Sequence, residues 1–353
     1  MSAAYEVYSL DSAIDTLFKS TSATREACEE KAARLVGGKI TPVPIQGCCS
    51  YTVYAGAQSE FIVQFRLELL QLRLEIAALA HEIHGNLAPL TTYHGHLGDV
   101  NDRPVHVYTL SRIPGVNYLE YHLANQHAEN SEESIAMRGA LIEDLASFFA
   151  ASWNSPQPMD LNAKEQLLQS YSRDLGLLLQ HLPSRFHPSI RQCLDTLPLI
   201  FSLLPTVLLH RDFSFFNIMV NEKSGRLTGV IDWAEAEICP FGQNLYNLQE
   251  FSGTLHHAHG RRQYEDHEDL QARFWRAFRK EVGNLSTEVM LAIGSSRVLG
   301  CLLSRGFTKR LANEPPAIPI EDNEAGRYNM KLLDIYLIDA KTRFEDLRNL
   351  GAS

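Results

Sequence analysis

The chain of 353 residues contains no C-x-x-C pair, no internal repeat and no low-complexity tract. Its six cysteines are too few for a disulfide scaffold, so a reduced intracellular compartment is expected. Basic charge is also short: 32 Lys and Arg stand against 42 Asp and Glu, a formal net charge of −10. That balance argues against a nucleic-acid binder working through bulk positive charge and leaves only a local basic patch open. Long apolar runs are missing as well. The most apolar stretch, Leu197 to Leu209, has 13 residues and contains Ser202 and Pro205, whereas a bilayer span takes about 20. Met1 to Ser20 carries Glu6, Asp11 and Asp15 and no sustained apolar segment, so it does not read as a secretory signal. What is present is 45% hydrophobic content, ample for a packed core. At roughly 150 residues per domain the length suits about two domains. A soluble, cytoplasmic protein without membrane or nucleic-acid partners is expected.

Residues 1–38 read as two short helices, with Asp11 and Ser22 as candidate caps and Gly37-Gly38 as the stop. Strand-like segments follow at Ile40 to Gln46, Ser50 to Ala55 and Phe61 to Arg66, the last two joined by a hairpin through Gly56 to Glu60. Leu67 to His84 has helical periodicity, and Leu90 to His96 and Val105 to Leu110 read as two more strands. After Pro114-Gly115 helices dominate: Ile135 to Trp153, Ala163 to Leu182, Pro188 to Leu197, Leu270 to Val282, Thr287 to Leu303 and Gly326 to Leu350. The exception, Val207 to Trp233, reads as two short strands around a loop and a turn. The expected organisation is therefore N-terminal helices over 1–38, a sheet-rich lobe over 39–114, and a larger helical lobe over 115–353.

The segment that carries chemistry is His210-Arg211-Asp212-Phe213-Ser214-Phe215-Phe216-Asn217, followed by Ile231-Asp232-Trp233. Its pattern is H-x-D-x4-N, with a second aspartate 15 residues after the asparagine, closing an apolar strand. Phosphoryl transfer asks little covalent chemistry of a protein. It needs a carboxylate to orient and deprotonate the attacking hydroxyl, and oxygen ligands for magnesium on the triphosphate. Asp212 suits the first task. Asn217 and Asp232 suit the second, since an amide oxygen and a carboxylate leave a hard cation room for water and phosphate oxygens. His210 reads as an internal prop for the loop.

At these residues the sequence resembles the aminoglycoside phosphotransferase and choline kinase-like family, over roughly residues 40 to 340. Ile231-Asp232-Trp233-Ala234-Glu235-Ala236 and Pro240-Phe241-Gly242 resemble the family's segment after its second metal-binding aspartate. The wording around Gln46-Gly47 and Ser50-Tyr51-Thr52-Val53, and Ile62-Val63-Gln64-Phe65-Arg66, resembles fungal members. The resemblance implies an α+β, two-lobed, protein-kinase-like fold and an ATP-dependent small-molecule kinase, with GTP as an alternative donor and Mg2+ as cofactor. By position it makes Asp212 the catalytic base and Asn217 and Asp232 the metal ligands. A protein kinase fits less well, because Asp232-Trp233-Ala234 replaces D-F-G and no A-P-E segment occurs.

The sheet-rich lobe departs from the family pattern, which places a lysine or arginine on the third strand paired with a helix glutamate. No lysine lies between Lys39 and Lys164. Gln64 and Arg66 share a strand face by alternation, so Arg66 is the candidate phosphate-binding cation, with Glu75 as its helix partner and Arg73 as a competitor. Gly47 would permit the phosphate-covering turn and Ser50 would offer a hydroxyl and N–H. The linker from Thr109 through Ser111 to Ile113 would meet the nucleotide through backbone groups, between the lobes. Glu235 and Glu237 are candidate contacts to a cationic acceptor. His256, His257, His259 and His267 match no zinc spacing and read as a solvated loop; Cys48-Cys49 read as small buried residues. Two other readings compete: a non-phosphorylating binding protein that kept the fold, and a different reaction on a natural-product substrate.

Overall fold

The computed structural model describes residues 8–47, 49–68, 71–125, 127–256, 260–308, 318–345 and 347. Cys48, His257, His259 and the side chain of His256 lie outside the described residues. The chain divides into two compact units, Met1–Pro114 with Val230–Ala234, and Gly115–Gly229 with Glu235–Ser353.

The first unit begins with α1 (Leu10–Phe18) and α2 (Arg25–Val36). Their caps are Ser9 and Thr24 rather than Asp11 and Ser22. The Ser22 hydroxyl is taken by the Asp99 amide at 2.9 Å, which leaves Thr24 to cap α2. After Gly37 and Gly38 come β1 (Thr41–Pro42), β2 (Ser50–Ala55), β3 (Phe61–Leu67), α3 (Leu74–His84), β4 (Thr91–Leu97) and β5 (Val105–Ser111). Gly38 has φ +75 and an added Cβ would meet the Gly56 carbonyl, so only glycine fits there. The five strands form one antiparallel sheet in the order β1-β2-β3-β5-β4.

Alternation sorts the sheet into two faces. Tyr51, Val53, Ala55, Val63, Phe65, Val105 and Val107 pack with Ile14, Leu17, Cys28 and Ala32 of α1 and α2 as one buried core. Register then puts Ser50 opposite Arg66, and Thr52 opposite Gln64, on the other face. Two expectations shift here. The strand at Ile40 to Gln46 shrinks to two residues, and the helix expected from Leu67 starts at Leu74. Leu67 continues β3 by pairing with Val105, and a residue in a ladder cannot also open a helix.

The second unit opens with β6 (Val116–Asn117) and α4 (Tyr118–Ala124), then α5 (Glu132–Trp153), α6 (Leu161–His181) and α7 (His187–Leu203). Next come β7 (Thr206–Leu209), β8 (Ile218–Val220), β9 (Leu227–Val230), β10 (Glu237–Pro240), β11 (Gly253–His256) and β12 (Gly260–Gln263), then α8 (His267–Val282), α9 (Thr287–Arg305) and α10 (Arg327–Leu333). β6, β8 and β9 form one small sheet, while β7 pairs with β10 and β11 with β12. The α4 helix and the β11–β12 hairpin are not foreshadowed by hydrophobic period, because both are short. The helix expected over Gly326 to Leu350 ends early: α10 loosens into a π turn over Asp334–Ile338. Arg297 binds the Glu345 carboxylate at 2.6 Å and its carbonyl at 2.8 Å, which folds the following segment back onto α9. By length and composition α9 alone among the described residues could cross a membrane, but 56% of that window is buried within the protein.

Candidate active site

The loop after β7 begins at His210, which is buried, and carries Asp212, which is exposed. Aromatic packing seats it. Phe213 is fully buried against Phe148 at 5.8 Å and Phe149 at 5.1 Å, and Phe215 meets Tyr118 at 4.9 Å and Phe251 at 5.0 Å. With alternate residues anchored in this bed, the chain turns so that the Asn217 amide donates to the Ser214 carbonyl at 3.0 Å. The Asn217 side chain closes the turn. Its Nδ2 donates to the Asp212 carbonyl at 2.8 Å and to Asp212 Oδ2 at 2.7 Å. The H-x-D-x4-N spacing is thus a closed hydrogen-bonded loop that holds one carboxylate and leaves the Asn217 Oδ1 atom over.

Arg211, between these residues, points into the unit. It donates to Gln243 Oε1 at 2.6 Å and lies 3.7 Å from Glu237 on β10, the strand that pairs with β7. Gln243 in turn donates to the Tyr171 hydroxyl at 2.9 Å. Glu237, one of the two acids expected to meet a cationic acceptor, thus has Arg211 beside it and keeps half of its side chain exposed. Glu235 sits in the short 3-10 turn Trp233–Glu235. A further ionisable group, Glu250, lies near Asp212. Burial raises its pKa against the pull of Arg305 and Arg261, and the Asp212 carboxylate pushes it the same way as burial. Arg305 reaches Glu250 at 3.5 Å. Arg211, Glu250, Arg261 and Arg305 carry no motif spacing, so the sequence offers no signal for them.

Asp232 belongs to the first unit and is held differently. Its φ is +61, one of three positive values among described non-glycine residues. That left-handed backbone costs about 1–2 kcal/mol for an L-residue. Arg66 Nη1 stands 3.7 Å from Asp232 Oδ1, and Arg66 is only 4% exposed. Glu75, its expected helix partner, is exposed in the first turn of α3, and one carboxylate near Arg66 is that of Asp232. Arg66 also donates to Gln64 Oε1 at 3.3 Å, so the two share a face as strand alternation requires. Arg73 precedes α3 at its N-terminus.

The other expected nucleotide contacts lie in and around the sheet. The Ser50 hydroxyl is buried and bonded to the Thr52 hydroxyl at 3.0 Å. Thr109 contacts His94 at 2.8 Å, and the Ser111 hydroxyl accepts from the Leu90 amide at 2.9 Å. Thr109 pairs with both Val63 and Thr92, and Ser111 with Phe61, so this backbone is mid-sheet. Gly47 is exposed, has no left-handed φ, and has open space where a Cβ would stand, so its turn does not require glycine. Among the described residues no cluster of three His, Cys, Asp or Glu side chains could hold a metal ion, and His267 is half-buried beside Gln263.

These features match a known family. The model of the "Phosphotransferase enzyme family" aligns with residues 50–281. No curated protein sequence matches the chain. Among solved structures, a candidate aminoglycoside phosphotransferase from Ralstonia eutropha is 14% identical, with a TM-score of 0.56 over 93% of this chain and 97% of that one. A macrolide 2′-phosphotransferase from Brachybacterium faecium is 13% identical, with a TM-score of 0.50 over 79% of this chain and 89% of that one. At such identities the likeness establishes the fold, the α+β kinase-like class expected from sequence. It does not bear on the resemblance to fungal members. The family match covers the strand bearing Arg66, the Asp212–Asn217 loop and Asp232 together, and this chain belongs to the phosphotransferase enzyme family.

Proposed function

We propose that this phosphotransferase is a kinase that moves the γ-phosphate of ATP to a hydroxyl of a small molecule in the cytoplasm, GTP being the other donor to try. The observation that carries the reading is the closed loop in which Asn217 binds both the carbonyl and the carboxylate of Asp212. A carboxylate held this way, yet exposed, supports a base that would accept the proton of an incoming hydroxyl and orient its lone pair. The donor set also fits magnesium. Because Nδ2 of Asn217 faces Asp212, its Oδ1 is the atom that would bind a cation, and the Asp232 side chain is 46% exposed. Both are hard oxygen donors, and two protein ligands leave positions for phosphate oxygens. Bound with nucleotide, magnesium would neutralise triphosphate charge. Arg66 would then add a fixed positive charge near the Asp232 carboxylate.

Ligand-linked melting tests this. Nucleotide with magnesium is expected to raise the melting temperature more than either alone, by about 2.7 kcal/mol of stabilisation at a hundredfold excess over the dissociation constant. A panel of hydroxyl compounds would then be scored for phosphate transfer. Equal shifts with and without magnesium, or none at saturating ATP and GTP, would favour a binding protein that kept the fold. Nucleotide binding without transfer to any hydroxyl would favour another reaction.

A further inference from the structure

Asp232 holds a backbone conformation that an L-residue leaves readily, with φ +61. Such a conformation persists only where its surroundings over-determine it. Two restraints lie on the chain itself. Arg66 stands 3.7 Å from the carboxylate, and the indole N–H of Trp233 donates to the Val230 carbonyl at 2.9 Å. The second bond closes a tight turn around Ile231 and Asp232, so the orientation of the indole fixes the peptides on both sides of the aspartate. Trp233 is buried, and one ring it meets is the imidazole of His84, with centroids 5.2 Å apart and planes inclined by 33°.

His84 is well placed to act as a fixed wall. It is buried and is the last residue of α3, which ends at Gly85 with φ +56. Ile76, Ala77 and Ala80 bury the same helix, so the position of His84 follows from packing along its length. Glu75, the residue expected to connect α3 to the phosphate side, is exposed. The ring contact at the opposite end of the helix makes that connection to the aspartate's turn.

We infer that His84 is a positioning residue for Asp232, acting through its ring contact with Trp233 to hold the left-handed turn that presents the carboxylate. The inference rests on the kinase reading only for the role of that carboxylate. The turn itself is a property of the ligand-free chain.

The test compares wild type with His84→Leu, which keeps bulk but loses the ring, and His84→Phe, which keeps a ring. Amide hydrogen exchange of the ligand-free protein is followed in peptides covering residues 230–235 and, as a control, β2 and β3. His84→Leu should speed exchange over 230–235 by about two- to tenfold relative to the control, the range that corresponds to one aromatic pair, and His84→Phe should restore it. ATP affinity measured with and without magnesium should show the same pattern, His84→Leu losing a similar factor from the magnesium-linked gain only. Unchanged exchange over 230–235 in a folded His84→Leu protein overturns the inference, as does acceleration shared equally by β2 and β3. If wild type itself shows no magnesium-linked ATP binding, the kinase reading fails, and the exchange data still decide the role of His84. Should His84→Leu not fold, His84→Gln is judged by the same criteria. Failure of both to fold would mark His84 as a support for the whole unit and count against a role specific to the turn.

Discussion

Two carboxylates are central to this molecule, and they are held by opposite means. Asp212 rests in a loop that closes on itself: Asn217, five residues on, supplies two hydrogen bonds, and no left-handed backbone is needed. Asp232 rests in a left-handed turn braced from outside, by Arg66 on β3 and by Trp233 packed against the end of α3. The first arrangement is local and low in strain. The second stores strain and depends on distant chain segments arriving correctly. On the proposed reading the first would take the proton of the acceptor, and the second would meet cation and phosphate with its charge tuned by the Arg66 guanidinium.

The largest expected effect would separate their tasks. Asp212→Asn keeps an oxygen for the Asn217 bond, so the loop should hold its shape while the proton acceptor is lost. Turnover is expected to fall by about 10²–10⁴-fold with magnesium-nucleotide affinity near normal, as kinetics and titration on one preparation would reveal. Full phosphotransfer by this variant would break the comparison at its root. Asp232→Asn should instead damage nucleotide affinity in magnesium and turnover together. Equal loss of binding in both variants would remove the division of labour.

A smaller effect sharpens the external bracing. Arg66→Ala should weaken nucleotide binding by about 1.5–3 kcal/mol, the scale of a charged hydrogen bond, and Arg66→Lys should recover part of it. Calorimetric titration measures both. Normal binding in Arg66→Ala with a loss in Arg73→Ala would move the role to Arg73. The smallest effect concerns backbone alone. At position 232 glycine should be more stable than alanine by about 1 kcal/mol, because both lack the carboxylate and only glycine accepts a left-handed φ freely. At position 212 the order should reverse by about 0.4–1 kcal/mol, since glycine there only adds freedom to the unfolded chain. Denaturant melts of the four variants decide it, and the same order at both sites would show that the two seats do not differ in strain.

How much of this was legible beforehand follows the same division. The Asp212–Asn217 loop could be read from spacing because its bonds join residues five apart, and the central strands β2, β3 and β5 because alternation sorts their faces. Gln64 and Arg66 fell on one face for that reason. Glu75 as a partner of Arg66 could not be tested by spacing. It requires knowing where α3 begins, and Leu67 proved to belong to the sheet. The hydroxyl partners of Ser50, Thr109 and Ser111 likewise lie on other residues in or next to the sheet, Thr52, His94 and Leu90, which spacing does not specify.

The sequence by itself determined the α+β class, the switch from sheet to helices near Pro114 and the turning back of the chain between Asp212 and Asn217. Each of these depends on hydrophobic period or on hydrogen bonds between near neighbours, and such interactions are encoded within a window of a few residues. Only the tertiary structure decided which carboxylate faces Arg66, that Arg211 is turned inward to Gln243 and Glu237, that Glu250 lies among arginines, and that His84 meets Trp233. Those pairs are separated by 26 to 166 positions in the chain. Contacts at such separations exist only after the strands and helices between them have packed, because a side chain's partner is then chosen by which surface the fold brings opposite it.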